Sequence, residues 1–108
     1  MNQNDLANKL GLLPVNNIED KKDVTGCYVG DLLSFVMGRA NPGDLWITVM
    51  NNINIVAVGV MADVSCIVLC EDVNADDDVI QRATEKGIMI YKSPLTAFEL
   101  SKEIGKYI

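Results

Sequence analysis

The chain has 108 residues and a formal charge of −6, and 49% of its residues are hydrophobic against 22% charged. This length has room for a single domain, and the hydrophobic content excludes a disordered protein. The negative charge argues against DNA or RNA as a partner, because nucleic-acid binders depend on clustered Lys and Arg.

The first 22 residues predict a short helix followed by an extended segment. Leu6, Leu10 and Leu13 recur at helical spacing, with Asn2 or Asn4 as the N-cap and an end near Gly11. Pro14 then favours an extended segment over residues 13–16, which fits a brief edge strand. Residues 16–22 are polar and predict a connection.

A weak strand and an apolar helix are predicted next. Residues 23–29 are rich in β-branched and aromatic side chains and end at Gly30. Asp31 is placed to cap a helix over residues 32–37, with Gly38 as its stop and residues 41–43 as a turn. Because this helix is apolar on nearly every side, we expect it to be sandwiched between other elements.

The segment from residue 45 to residue 70 is the most apolar part of the chain. Residues 45–49 and 66–70 predict buried strands. Residues 53–62 are rich in β-branched residues and on propensity alone favour a strand, so a hairpin is the alternative. We expect a helix, because parallel neighbours need a crossover and because one stripe is apolar: Ile53, Val56, Ala57, Val60, Met61 and Val64.

The C-terminal third continues the alternation of helices and strands. A connection over residues 72–76 leads to a helix that ends at Gly87 and has one apolar face: Val79, Ile80 and Ala83. A strand over residues 88–91 precedes a helix with Ser93 as N-cap and Pro94 at its first position, whose apolar residues are Leu95, Phe98, Leu100 and Ile104.

The order of these elements predicts the fold class. The run from residue 45 to residue 104 reads β-α-β-α-β-α. Such alternation is typical of a three-layer α/β/α sandwich with right-handed crossovers and a mostly parallel sheet, here of about four to five strands. The sequence therefore predicts one α/β domain over residues 1–108.

The ends and the cysteines indicate the compartment. Residues 1–5 lack the cationic and apolar regions of a signal peptide, and polar residues interrupt the longest apolar run at Asn54, Asp63 and Ser65. The three cysteines are odd in number and lack zinc-ribbon spacing, which favours reduced thiols. We expect a cytoplasmic protein with no membrane partner.

The residue types that carry common enzyme chemistry are missing. The chain has no histidine, which excludes Ser-His and Cys-His pairs, and it has neither standard glycine-rich phosphate loop. A series of alternating oxygen ligands starts like a calcium loop, but Asp77 replaces its glycine and Ala83 its final glutamate: Asp72, Asn74, Asp76 and Asp78. We expect these acidic residues to stabilise a helix N-terminus, with no metal, no cofactor and no catalytic residue.

Two cysteines share the predicted strand over residues 66–70. Cys66 and Cys70 would point to one face about 13 Å apart, which is too far for a disulfide. We expect both to be small buried apolar residues, and Cys70, at the strand's end, is the better candidate for a reactive thiol.

A ligand site, if one exists, is expected where the parallel strands end, because the following loops converge there. The candidate ligand-binding residues are Thr48, Asn51, Asn52, Asn54, Cys70, Glu71 and Ser93. Two considerations oppose this interpretation. Glu71 and Asp72 would repel phosphate, and asparagines at such turns commonly cap helices.

Three segments together resemble the DRTGG domain family: residues 23–34, residues 43–48 and residues 54–59. The resemblance extends from about residue 5 to the C-terminus and includes Ala97-Phe98-Glu99-Leu100. The family is similar to the N-terminal domain of HPr kinase/phosphorylase and occurs fused to CBS domains, pyrophosphatases and phosphate acetyltransferases. This implies a non-catalytic regulatory or assembly domain.

The sequence departs from the family at the residues that give it its name. Asn51-Asn52 stand where other members have Asp-Arg, and Leu69-Cys70-Glu71 where they have Thr-Gly-Gly. The resemblance implies a self-associating regulatory domain, expected to be a homodimer, that senses a small ligand such as a nucleotide. The alternative is an interaction subunit of a redox, hydrogenase-type enzyme system with no ligand of its own, because stand-alone members look like small proteins encoded beside iron-only hydrogenase genes.

Overall fold

A five-stranded sheet lies at the centre of the computed structural model, which describes residues 1–108. The strands are β1 (Leu13–Pro14), β2 (Gly26–Val29), β3 (Asp44–Thr48), β4 (Cys66–Leu69) and β5 (Met89–Lys92). The helices are α1 (Gln3–Leu10), α2 (Leu33–Arg39), α3 (Asn54–Met61), α4 (Asp77–Glu85) and α5 (Ala97–Ile104). The strand order is β1-β5-β4-β3-β2, and all strands are parallel except the edge strand β1. The predicted mostly parallel α/β/α sandwich is confirmed.

The two central strands divide the core into two halves. Every residue of β3 and β4 is buried, and successive side chains point to opposite faces of the sheet. Leu45 and Ile47 pack with residues of α1 and α5 on one face, whereas Trp46 packs with residues of α2, α3 and α4 on the other. Because both faces are covered, these strands are continuous apolar runs, as the sequence indicated.

Helix α3 is confirmed as the crossover between β3 and β4, but its predicted buried face is partly wrong. Ile55, Val56 and Gly59 are buried, whereas Val60 is 44% and Met61 72% exposed. A Cβ atom at Gly59 would lie 2.8 Å from Cδ1 of Ile88. Gly59 therefore faces the sheet together with Ile55 and Val56 and lets the helix approach closely, whereas Val60 and Met61 point outward.

Helix α2 differs from the prediction at both ends and in its burial. It starts after Leu32, without a side-chain cap from Asp31, and it continues through Gly38. Val36 is its only buried residue, and Phe35 is 44% exposed. The expectation of a sandwiched helix is wrong. Helix α2 packs beside α3 in the helix layer formed by α2, α3 and α4, called the outer helix layer below, and its other side faces solvent.

Helix α1 is confirmed, with Asn2 as its cap and Gly11 in the left-handed conformation that ends it. Leu13 lies in the edge strand β1, within the extended segment that the sequence predicted, and it is 61% exposed although it continues the helical spacing of Leu6 and Leu10. Gln3 is buried instead. Its amide donates to the carbonyl of Ser65, and its side-chain oxygen accepts from the Tyr91 hydroxyl at 3.4 Å, so polar bonds tie α1 to the sheet.

Helix α5 begins later than predicted. Its N-cap is Thr96, whose hydroxyl accepts from the backbone N–H of Glu99 while the Glu99 carboxylate accepts from the N–H of Thr96. This reciprocal capping box satisfies two free N–H groups, whereas Ser93 is buried and its N–H donates to Leu69. The assignment of Ser93 as N-cap is wrong because Ser93 extends the strand.

The helices are all short, and none of the five combines the length and the apolar character needed to cross a lipid bilayer.

We predict that Gly43→Ala destabilises the domain by about 1–3 kcal/mol, whereas Gly38→Ala does not. Gly43 has a φ of 87°, which L side chains rarely adopt, and an added Cβ would overlap with Oγ1 of Thr25. Gly38 lies within α2 with open space around it, so alanine there should be neutral or stabilising by about 0.5–1 kcal/mol. Urea unfolding of both variants measures the difference; equal stabilities would contradict the strained turn.

Candidate functional site

The carboxyl ends of the parallel strands bring three predicted site residues together. Thr48 ends β3, and Cys70 and Ser93 directly follow β4 and β5. The N–H of Cys70 donates to the carbonyl of Thr48 at 3.1 Å, and the N–H of Ser93 donates to that of Leu69 at 2.9 Å. These bonds extend the sheet by one residue beyond β4 and β5. All three residues are buried, so their side chains lie beneath the loops at this edge of the sheet.

Thr48 binds the carboxylate of Asp31, which the sequence predicted to cap a helix. Its hydroxyl donates to Oδ1 of Asp31 at 2.7 Å, and the N–H of Val49 donates to the same oxygen at 3.0 Å. The Thr48 hydroxyl also accepts from the N–H of Met50 at 3.2 Å. Asp31 is therefore a residue of this edge. No sequence signal pairs it with Thr48, because the contact joins residues from two different strand ends.

Asn51 takes part in a second network that links three loops. Its amide donates to the carbonyl of Asn74 at 2.8 Å. The ammonium of Lys92 donates to Oδ1 of Asn74 and lies 3.2 Å from Oδ1 of Asp72. The sequence indicated Lys92 here, since it precedes Ser93 in one of the loops that follow the strands. Asn74 was not expected at the site, although the alternating oxygen ligands after β4 did single it out.

Asn52 and Asn54 act at the start of α3. Oδ1 of Asn52 accepts from the N–H of Asn54 at 2.9 Å, which is the capping role considered as the alternative for these asparagines. Asn54 is exposed and lines a groove between α3 and α4. The structure thus places Asn54 on the helix layer and not among the buried residues at the strand ends.

The loop after β4 has a backbone conformation that favours glycine. Glu71 and Asp72 have φ values of 55° and 61°, and their N–H groups donate to the carbonyls of Leu95 and Ser93. In the resemblance described above, Glu71 corresponds to the second glycine of Thr-Gly-Gly. The conformation is kept here by a glutamate whose side chain points into solvent.

The edge is negatively charged. Asp31, Glu71 and Asp72 face one cation, Lys92, which is already paired with Asp72. Burial raises the pKa of the Cys70 thiol above its ordinary value, and the carboxylates of Glu71 and Asp31 add to this shift. Its sulfur lies 3.7 Å from the carbonyl oxygen of Thr48. A thiol held protonated in this way is a poor nucleophile.

The other two thiols are also held protonated. Burial raises the pKa of Cys66 to about 12, and burial together with the nearby Asp44 carboxylate raises that of Cys27 to about 11. All three cysteines are free, and Cys66 and Cys70 are buried as predicted. No group of three or more Cys, Asp or Glu residues is arranged to hold a metal ion.

None of the four cavities of the molecule is lined by Thr48, Asn51, Cys70 or Ser93. The polar side chains at the strand ends are instead bonded to one another. A ligand at this edge would have to replace some of these hydrogen bonds, and Asn51 and Lys92 are the donors that it would compete for.

Comparison with known proteins identifies a family. The model of the DRTGG domain matches residues 6–107. No curated protein matches the chain.

One solved structure with a similar fold contains the CBS and DRTGG domains of the regulatory region of a Clostridium perfringens pyrophosphatase, complexed with its activator, diadenosine tetraphosphate. The TM-score is 0.73 at 17% sequence identity, over 95% of this chain and 45% of that one. The chain thus spans less than half of that regulatory region.

We predict that Thr48→Val lowers the free energy of unfolding by about 1–3 kcal/mol. The change removes the donor to the Asp31 carboxylate and the acceptor of the Met50 N–H at a buried position. Thr84→Val is the matched control. Thr84 is exposed, and its hydroxyl donates to a carbonyl within α4 and accepts from the Asn16 amide at 3.2 Å. Because that amide keeps its bond to the carbonyl of Ile88, we expect a change within about 0.5 kcal/mol. Similar losses in both variants would show that the Thr48 hydroxyl is not structurally special.

We predict that the native protein is alkylated slowly at Cys27 and not at Cys66 or Cys70, which are buried. With a pKa of about 11, roughly one Cys27 thiol in a thousand is ionised at pH 8, and the rate should rise about tenfold per pH unit up to pH 10. Iodoacetamide labelling followed by peptide mass spectrometry measures this. A rate that levels off below pH 9, or early labelling of Cys70, would contradict it.

Proposed function

The chain belongs to the DRTGG domain family, and on that premise we propose that it is a non-catalytic regulatory domain. In this proposal it senses a small ligand, such as a nucleotide, at the carboxyl ends of its strands, and it self-associates as a dimer in the cytoplasm. The observation that carries the proposal is the family match over residues 6–107.

The chemistry of the side chains supports a role without catalysis. The chain has no histidine, its three thiols have raised pKa values, and no cluster of metal ligands is present. Histidine bases, low-pKa thiols and bound metal ions are common means of nucleophilic and metal-assisted catalysis. Any reaction would then belong to a protein that this domain regulates.

The similar regulatory region supports the choice of a nucleotide, because its activator is a dinucleotide. At the strand ends of this chain, Asp31, Glu71 and Asp72 repel phosphates, and Lys92 is the one cation. Carboxylates accept hydrogen bonds from ribose hydroxyls and from N–H groups of a base, and side-chain amides both donate to and accept from these groups. We therefore propose that the nucleoside part of a ligand, and not its phosphates, contacts Asn51 and the neighbouring carboxylates.

The second candidate function is an interaction subunit of a redox enzyme system with no ligand of its own. Two observations favour it. The polar groups at the strand ends already bond to one another, and large apolar side chains are exposed on the helices, such as those of Phe35 and Met61. An interaction subunit needs an exposed apolar surface and no ligand site.

We predict that an adenine nucleotide raises the melting temperature of the purified protein. Ligand at ten times its dissociation constant stabilises the native state by about 1.4 kcal/mol, which is roughly 5–10 °C for a domain of this size. Thermal denaturation with diadenosine tetraphosphate, adenosine monophosphate, adenosine and inorganic phosphate, each at millimolar concentration, measures this. Adenosine should retain a shift and phosphate alone should give none.

The variant Asn51→Ala tests the place of binding, with Asn8→Ala on α1 as its control. Asn51 lies in the network at the strand ends, whereas Asn8 is exposed on α1, on the face of the sheet that α1 and α5 cover. Each shift is compared with the melting temperature of the same variant without ligand. We expect Asn51→Ala to lose most of the shift and Asn8→Ala to keep it. No shift with any compound would overturn ligand sensing and leave the interaction subunit.

A further inference from the structure

Helix α3 has a second apolar face that the domain itself does not use. Ile53, Ala57 and Met61 follow one another at intervals of four residues and are exposed, and Val60 lies beside them. These residues form one wall of a groove of 450 Å³ between α3 and α4. This exposed face includes several neighbouring apolar side chains, and it plays no part in covering the sheet, which is done by the buried side of α3.

The neighbouring helix adds a row of charges with a direction. Asp78, Arg82 and Lys86 line the groove and its continuation, again at intervals of four residues. The row is acidic at its start and basic at its end. Its centre is locally balanced, because Arg82 lies 3.8 Å from the Glu85 carboxylate, whereas Lys86 has no ion-pair partner in the chain.

The two rows run side by side in the same direction. Helices α3 and α4 both return from one parallel strand to the next, so they point the same way, and they pack against each other. A two-fold axis across both helices would place α3 on α3 and α4 on α4 in antiparallel directions. Such an axis brings Asp78 of each copy to Lys86 of the other, and the apolar rows onto each other.

We propose that the face formed by α3 and α4 is the surface through which two copies of this chain associate. This inference takes self-association from the proposed function, and it adds the surface at which the two copies meet. A row that is acidic at one end and basic at the other is complementary to its own antiparallel copy. An unrelated acidic segment would be attracted by Arg82 and Lys86 but repelled by Asp78.

The dimensions of the molecule leave room for this occupant. The molecule extends 31 × 27 × 24 Å, so the whole side to which the α3/α4 face belongs has an area on the order of the 800 Å² that each partner of a stable interface buries. Both arginines of the outer helix layer lie beside exposed apolar side chains: Arg39 stacks on Phe35 at 3.9 Å, and Arg82 lines the groove. Arg and apolar residues at the centre are typical of interfaces.

The first experiment compares two glutamate substitutions of equally exposed side chains by sedimentation equilibrium at micromolar concentrations. Met61 on α3 is 72% exposed, and Phe98 on α5, in the opposite helix layer, is 76% exposed. We expect the wild-type chain to be a dimer. Met61→Glu should raise its dissociation constant roughly tenfold or more, because the substitution occurs twice in the interface, and Phe98→Glu should leave it within about twofold. Thermal melting of each variant shows that it is folded.

The second experiment tests the two-fold axis with charge reversal. Asp78→Lys makes the row basic at both ends, and Lys86→Glu makes it acidic at both ends. Each variant alone should associate more weakly than the wild type. In an equimolar mixture, with one variant labelled with ¹⁵N, native mass spectrometry should show more mixed dimers than random pairing gives, because opposite rows then face each other.

The outcomes separate the two proposals. A wild type that sediments as a monomer would overturn self-association and, with it, this surface. A dimer that Met61→Glu does not weaken, or charge variants that pair at random, would overturn the α3/α4 surface and leave self-association through another face standing. Neither result bears on the nucleotide experiment, because its test variant Asn51→Ala lies at the strand ends and its control Asn8→Ala lies on α1.

Discussion

Every other element of this domain takes its position from β3 and β4, the two strands that are buried on both faces. Parallel neighbours can be joined only by crossovers, and the crossovers must cover the sheet. Trp46 shows how closely the elements depend on this strand: its ring is fully buried among the outer helices, and its indole N–H donates to the carbonyl of Gly30 at 2.9 Å. The side chain that fills the core thus also fixes the connection between β2 and α2.

The same parallel arrangement brings the loops after the strands to one edge. There the chain uses its polar side chains to tie the loops together: Thr48 to Asp31, and Asn51 and Lys92 to Asn74. Only Thr48 among these residues is buried, and its hydroxyl has the partners that a buried polar group needs in Asp31 and in the N–H of Met50. The bonds of Asn51 and Lys92 lie at the surface. The result is an edge at which the loops are fixed to one another and at which Thr48, Asn51, Cys70 and Ser93 line no cavity.

Sequence patterns predicted the type of nearly every element, but they were least reliable for which side of a helix faces the core. The apolar stripe of α3 was a reasonable prediction, yet Gly59 turns toward the sheet and Met61 outward. A helix that is apolar all round gives no periodicity from which to choose a face. The same ambiguity explains α2, whose apolar residues indicated a sandwiched helix although one side is open. Covering the sheet does not account for the exposed apolar surface of α3, which is the surface that the proposed association would bury.

The sequence by itself determined the α/β fold class, the order of the strands and helices, the resemblance to the family, and the absence of histidine chemistry, because periodicity, glycines, short motifs and composition are local properties of the chain. Only the tertiary structure decided that Asp31 belongs to the edge with Thr48 and that Asn74 and Lys92 join Asn51. It alone placed the charged row of α4 beside the exposed row of α3. These are contacts between residues distant in sequence. They depend on which strands are neighbours and on how each helix is rotated, and no local pattern encodes either.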